Sequence, residues 1–491
     1  MQKYSIKLPV EPIYLMKAIT GRIAEIAILE KILNSGDAEL VAMYGRRRVG
    51  KTFLIRNFYA KQIEFEFSGI HNATFSQQLE NFSIALGNSF SRNLFEKPKS
   101  WQQAFQILSK YLSPILKKKR TVIFFDEFPW INTPRSGFLP AFENFWNTWA
   151  SKEQNLVVVI CGSAAAWMIK KIVNNRGGLH NRVSYKIRLL PFTVGETRAF
   201  LKYRKINLDS FQVLQLYMAM GGIPQYLKEI QIGESAALAI DRICFSKDGL
   251  LQNEFKNLYS SLFDQAGSHV DVVRALAKKN KGLTRKEIIS ICKLTTGGWA
   301  TQILEELSES GFITPYIPFD KTAKDCIYKL TDEYSIFYLK FIENNRPGGI
   351  GTWVKFSTGS SYKSWSGSAF ESICLKHLVH IKKALGIEMV YTEASVWRSK
   401  TEAGGKGAQI DLLIDRRDLC INVCEIKFSV NEFEITKAYA DELRNKLNTF
   451  GKQTSSRKTI FLTMITTHGV IKNKNYHGLI QNEVSMKALF A

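Results

Sequence analysis

Long apolar runs are missing from this chain: no stretch approaches the roughly 20 residues of a membrane-spanning helix, and no membrane span is expected. The opening residues lack a basic stretch followed by an apolar signal core, so a soluble, cytoplasmic protein is expected. Cysteine is sparse, with seven residues in 491, an odd number with no CxxC pair, which argues against a disulfide framework or a zinc ribbon. The two histidines at 377 and 380 lack the i,i+4 spacing of a helical metal pair, and no internal repeat stands out. Acidic residues are also in short supply: 44 Asp+Glu against 67 Lys+Arg leaves a net charge of +23, which suits a polyanionic partner. What is present is ordinary folded-protein material, 45% hydrophobic and 12% aromatic, and the length predicts about three domains.

Between about residues 20 and 195, short apolar runs alternate with longer amphipathic stretches. The runs are ELVAMYG (39–45), IEFEFSG (63–69), TVIFFDEF (121–128), NLVVVICGS (155–163) and YKIRLLPF (185–192), which predict an α/β fold with a parallel sheet wrapped by helices. Residues 196–264 read as helical, broken at Gly221-Gly222-Ile223-Pro224. Three short amphipathic helices and a hairpin over 265–345 predict a winged helix. The Pro/Gly-rich stretch 344–353 is the clearest boundary, and residues 354–491 mix a helix around 370–385 with four apolar strands.

Gly45, Arg46, Arg47, Arg48, Val49, Gly50, Lys51 and Thr52 fit GxxxxGK[ST] between a strand and a helix. Backbone N–H groups in such a loop curl around phosphates, Lys51 bridges the β- and γ-phosphates of ATP, and the Thr52 hydroxyl ligates Mg²⁺. A glycine-capped turn with a chance lysine is the bland alternative. Asp126 and Glu127 end the FFDE strand, where Asp126 would hold Mg²⁺ and Glu127 would orient or deprotonate the attacking water. An acidic pair there could also simply cap a helix.

Together with GRIAEIAILE (21–30), VVVICGS (157–163), PFTVGE (191–196) and GGIPQYL (221–227), these segments resemble AAA+-like ATPases of the STAND class, of the archaeal and bacterial type. The resemblance implies a P-loop ATPase core over 18–195 and a helical lid over 196–264. It implies that Gly21, Arg22 and Glu25 lie near adenine, and that Gly222 and Pro224 form the lid's GxP element. It also implies that Ser163 is a polar sensor of the γ-phosphate; a plain strand-end serine is the alternative. Arg182 falls where the family has an arginine that reaches the γ-phosphate in cis or from a neighbouring subunit, so oligomerisation stays open beside a surface role.

In QIDLLIDRRDLCINVCEIKFS (409–429), Asp411 lies on one strand, and Glu425 and Lys427 share one face of the next. Two carboxylates that bind metal and a lysine that activates water suit Mg²⁺-dependent phosphodiester cleavage. The arrangement resembles the PD-(D/E)xK nuclease fold, with Glu371 matching the acid on its first helix. Ile410 stands where that fold has proline, and a four-residue turn at 415–418 places Asp411 opposite Asn422 rather than Glu425, so a bulge or register shift is expected. An ordinary half-exposed strand, or a nuclease fold that no longer cuts, would fit the same residues. The expected function is an ATP-hydrolysing switch coupled to a winged helix and a nuclease-like domain acting on nucleic acid. The basic segments 117–120, 278–281 and 472–474 would supply phosphate contacts. The alternative is an ATP-driven signalling scaffold that recruits a protein partner through an inactive nuclease-like domain.

Overall fold

The five apolar runs of the first 190 residues become the strands of a single sheet. In the computed structural model, which describes residues 19–90, 96–174, 177–263, 265–345, 349, 351–399 and 408–491, they are β1 (Glu39–Tyr44), β2 (Ile63–Ser68), β3 (Thr121–Asp126), β4 (Leu156–Gly162) and β5 (Tyr185–Arg188). Their order is β2-β3-β4-β1-β5 and every pair is parallel. Strands β3 and β4 are buried along their whole length, which is why they read as continuous apolar runs rather than alternating ones.

Around the sheet lie α1 (Ile23–Leu33), α2 (Lys51–Phe58), α3 (Phe75–Phe90), α4 (Trp101–Leu116), the short α5 (Phe128–Ile131) and α6 (Phe138–Thr148). Phe65, Phe82, Trp101, Phe105, Phe125 and Phe142 form an aromatic core between α3, α4, α6 and the sheet. Part of the basic run at 117–120 holds this unit together. Arg120 donates to the carbonyls of Ile32 (2.9 Å), Asp37 (2.7 Å) and Gln154, and Lys119 pairs with Glu64.

From Pro191 onward the chain forms a second compact unit. It opens with helices Val194–Tyr203, Ser210–Met220, Pro224–Leu227, Ala236–Phe245 and Glu254–Ser260. The PFTVGE segment is a capping box in which the Thr193 hydroxyl accepts from the Glu196 N–H and the Glu196 carboxylate accepts from the Thr193 N–H. Gly222 is required by packing, because a Cβ there would lie 2.0 Å from Phe192 O.

Next come helices Ala266–Ala277, Arg285–Cys292 and Gly298–Glu309, with a three-stranded antiparallel sheet ordered β6 (Leu283–Thr284), β8 (Ile327–Leu330), β7 (Ile313–Tyr316). The boundary expected at 344–353 lies partly outside the described residues. Its described end is pinned: the Gly351 and Trp353 N–H groups donate to the buried Asp241 carboxylate at 2.6 and 2.7 Å. Trp353 also packs on the Phe337 and Phe245 rings at 5.0 and 6.0 Å.

The helix expected around 370–385 is two helices, Ser360–Lys376 and Leu378–Ala384, interrupted at His377. A second five-stranded sheet follows, ordered β13 (Asn482–Ser485), β12 (Thr459–Thr466), β11 (Cys420–Lys427), β10 (Gln409–Arg416), β9 (Thr392–Arg398). β9, β10 and β11 pair antiparallel, whereas β11, β12 and β13 pair parallel. Helix Lys437–Thr454 links β11 to β12, and the edge strand β13 goes beyond the four strands expected. No helix among the described residues is long and apolar enough to cross a membrane.

Candidate active site and a second carboxylate cluster

The phosphate loop starts where β1 ends. Gly45 has φ 146°, and a Cβ on it would sit 2.3 Å from Leu189 O at the end of the neighbouring β5, so only glycine lets the chain leave the sheet here. Gly50, at φ 94°, turns the loop into the first turn of α2, whose first residue is Lys51. Lys51 is 5% exposed and its Nζ donates to Gly45 O (2.8 Å), Arg46 O (2.9 Å) and Ser163 Oγ (3.1 Å). Burial pushes its ammonium below the ordinary lysine value, against the opposing pull of Cys161, Glu127 and Asp126.

Thr52 Oγ1 donates to Asp126 Oδ2 at 2.8 Å, and the N–H of Glu127 donates to Asp126 Oδ1 at 3.0 Å, so both oxygens of this carboxylate are oriented. A hydroxyl and a carboxylate side by side are hard oxygen donors that suit Mg²⁺. Glu127 has φ 43°, a left-handed conformation uncommon for a residue with a side chain, and it precedes α5 without capping it through its side chain. Its carboxylate instead accepts from Ser163 Oγ at 2.7 Å and Ser163 N at 3.2 Å. A simple helix-cap role for this acidic pair is thereby overturned.

Among the other loop residues, Arg46 and Val49 are buried, Arg48 takes a left-handed φ of 71°, and the Arg47 guanidinium lies 5.6 Å from the centre of the Trp130 ring. Gly21 and Arg22 are left-handed at φ 70° and 61°. Arg22 is a clamp on the loop: it donates to Val49 O (3.0 Å) and Leu190 O (2.8 Å) and faces Glu25 at 3.6 Å. Arg182 is exposed in the turn before β5, and among the described contacts nothing joins it to Lys51, Thr52 or Asp126. Pro224 begins helix Pro224–Leu227 in the second unit.

In the C-terminal sheet the hairpin register corrects the sequence expectation. Leu412 faces Cys424 and Ile414 faces Asn422, so the ladder runs on to Asp411 beside Glu425, and Ile426 N donates to Asp411 Oδ2 at 3.4 Å. The reason is the position of the turn: β10 extends two residues further than expected, through Arg416, and β11 starts one residue later, at Cys420. That leaves a three-residue turn closed by Leu419 at φ 63° and the Arg416–Asp418 ion pair, not a four-residue turn at 415–418. No bulge is needed in this ladder; the irregularity lies between β9 and β10.

The half-exposed-strand reading is also overturned. β11 is the central strand of five, and its Glu425 is 2% exposed. Lys427 Nζ lies 2.8 Å from Glu425 Oε1. Two partners were not foreseen: Lys446 Nζ, 3.1 Å from both Glu425 oxygens, and Tyr439 Oη, which donates at 2.8 Å. They stand seven residues apart on helix Lys437–Thr454, two turns along one face, and that spacing was the available signal. Glu371 pairs with Lys329 of β8 at 3.2 Å.

Burial works against an ionised Glu425, but Lys427, Lys446 and the hydrogen bonds from Lys427 and Tyr439 outweigh it and hold the carboxyl below its usual range. Asp411 goes the other way. Burial first, then the charges of Glu425 and Glu371, push it up to about 7. Among the described residues no three His, Cys, Asp or Glu side chains converge to hold a metal by themselves.

The parallel sheet, the glycine-framed loop and the Thr52–Asp126 pair are the parts of a P-loop ATPase domain. Residues 20–230 match a family described as an ATPase domain predominantly from Archaea. The chain is 22% identical over 425 residues to an uncharacterised protein of Methanocaldococcus jannaschii, covering 86% of this chain and 90% of that one. Among solved structures it resembles a Walker-type ATPase of Pyrococcus abyssi, at 17% identity, 65% and 96% coverage and a TM-score of 0.47. It also resembles the ORC2 protein of Aeropyrum pernix, at 12% identity, 71% and 98% coverage and a TM-score of 0.44.

Proposed function

We propose that this protein is an ATP-hydrolysing switch of the STAND type whose second unit acts on nucleic acid. The observation that carries the reading is the convergence of Lys51, Thr52, Asp126, Glu127 and Ser163 at the carboxyl ends of β1, β3 and β4. Backbone N–H groups of residues 45–50 and the Lys51 ammonium hold the phosphates. Thr52 and Asp126 hold Mg²⁺, which when bound neutralises charge on the β- and γ-phosphate oxygens. Glu127 orients a water for in-line attack on the γ-phosphorus and takes its proton as the bond to the bridging oxygen breaks, leaving ADP and phosphate. Lys51→Ala should remove ATP–Mg²⁺ binding, and Glu127→Gln should keep binding while stopping turnover.

A nuclease role for the second unit is favoured by the pairing of Asp411 with Glu425 beside Lys427 and Glu371. Residues 265–345 then serve as a winged helix. Its third helix carries Glu305, Glu306 and Glu309, a poor surface for a polyanion, whereas Lys278, Lys279 and Lys281 are exposed and would meet phosphates with little sequence preference. Incubating the full chain with plasmid DNA and Mg²⁺, with and without ATP, tests this reading. Cleavage lost in Asp411→Asn and Glu425→Gln supports it. Intact plasmid, with no DNA binding at low salt, points to the scaffold that recruits a protein partner.

A further inference from the structure

Three lysines stand against three carboxylates in the C-terminal cluster. Lys427 and Lys446 both pair with Glu425, at 2.8 and 3.1 Å, and Lys329 pairs with Glu371 at 3.2 Å. The first two belong to the large sheet and its helix Lys437–Thr454, but Lys329 comes from β8, the middle strand of the small antiparallel sheet. It is 8% exposed, and its ammonium lies 5.4 Å from the centre of the Tyr316 ring on the neighbouring β7. Its stem passes close to Gly282, at φ 79°, where a Cβ would sit 3.0 Å from Lys329 Cγ and 2.7 Å from Tyr328 O. A buried ammonium is costly unless an opposite charge meets it, and among the described residues Glu371 is the one carboxylate in ion-pair range. The hairpin of β7 and β8 is itself fastened to the large sheet. Phe319, just after β7, donates its N–H to Val396 O at 3.0 Å and sets its ring 5.5 Å from that of Phe450. Beside it, Arg398 Nη2 donates to Lys281 O at 2.8 Å, and Asn280 Nδ2 donates at 3.1 Å to Ser368 Oγ, one helical turn before Glu371.

We infer that Lys329 is an internal cation that engages Glu371 in place of a divalent metal ion, so that the carboxylate cluster is closed while the β7–β8 hairpin is docked and completed when the hairpin moves off. Hard divalent cations are held by sets of oxygen ligands, and Glu371 would add a third carboxylate to Asp411 and Glu425. It is near enough for its charge to act on Asp411, yet its own ion pair is with the hairpin, and no three acidic side chains among the described residues converge. With all three acids ionised, three positive charges balance three negative ones, and an entering divalent ion would add two uncompensated charges to a mostly buried site. Withdrawal of Lys329 leaves two ammoniums against three carboxylates and frees Glu371 as a ligand. The inference rests on the reading of Asp411, Glu425 and Glu371 as a metal-binding set.

The test is Mn²⁺ binding by the full chain without nucleotide, read as loss of the free-ion electron-spin resonance signal. Lys329→Met keeps the stem and removes the charge, and it should tighten Mn²⁺ binding by about tenfold or more, the order expected when one unit charge beside a divalent ion is removed from a partly solvated site. Adding Asp411→Asn should abolish that gain, which assigns it to this cluster and not to the phosphate loop. Phe319→Ala loosens the hairpin without altering any charge; it should tighten binding in the same direction, and it carries the test if Lys329→Met does not fold. A gain that survives Asp411→Asn, or Asp411-dependent binding equally tight in the parent and in both variants, overturns the closure by Lys329. Tightening in Lys329→Met with none in Phe319→Ala overturns the opening by hairpin movement. Failure of the underlying reading shows separately, as the absence of any Asp411-dependent Mn²⁺ binding in the parent and in every variant.

Discussion

Replacing Asp411 by asparagine should stabilise the protein, and by an amount that grows with pH. Burial and the charges of Glu425 and Glu371 raise Asp411 from its ordinary 3.8 to about 7 in the folded chain. Between these two values the folded state binds a proton that the unfolded state does not, so stability falls as pH rises and is flat above about 7. Asparagine has the shape of the protonated acid and can keep accepting from Ile426 N, yet it never has to ionise. From pH 5 to pH 7, at about 1.36 kcal/mol per unit, its advantage should grow by about 3 kcal/mol and then level off. Urea unfolding followed by tryptophan fluorescence at pH 5, 7 and 8 reads this directly. An advantage that is constant with pH, or that shrinks on going from pH 5 to 8, would refute the buried pairing with Glu425.

His377 gives the opposite signature. Burial lowers it to about 4, and Val194 N donates to its Nε2, so the neutral ring is the one that fits. The unfolded chain then binds a proton that the folded one does not, and stability should drop by up to about 3 kcal/mol as pH falls from 6.5 to 4, with the loss reduced in His377→Gln, as measured by urea midpoints. Gly222→Ala places a Cβ 2.0 Å from Phe192 O and should cost about 3 kcal/mol or more, read by the same unfolding assay. If DNA binds, neutralising Lys278, Lys279 and Lys281 together should reduce the slope of log affinity against log salt by up to about 3, whereas Arg120→Ala should lower the melting temperature and leave that slope unchanged.

The phosphate loop was legible because its requirements are local: two glycines with unusual φ, a lysine and a threonine at fixed spacing between a strand and a helix. The three inner strands of the first sheet were legible because burial on both faces makes each a plain apolar run, and the edge strands β2 and β5 because apolar and polar residues alternate along them. The C-terminal hairpin was harder. A turn placed two residues further along the first strand and ending one residue later on the second moves every partner on the ladder by three, and the sequence RRDLC does not reveal that Leu419 would take the left-handed position. β13, with the sequence NEVS, is a short polar edge strand with one buried residue and no apolar signal. The long-range polar ties from Asp241 to Gly351 and from Lys329 to Glu371 join residues 110 and 42 positions apart, and no local pattern announces them. The same holds for Arg120, which reads as part of a basic patch and acts as a staple for carbonyls.

ATP binding and turnover by the parent chain, Lys51→Ala and Glu127→Gln, measured side by side with Mg²⁺ present, test the central claim most directly. The parent should bind and hydrolyse ATP, Glu127→Gln should bind with parental affinity and not turn it over, and Lys51→Ala should not bind. Parental ATP binding by Lys51→Ala would contradict the account.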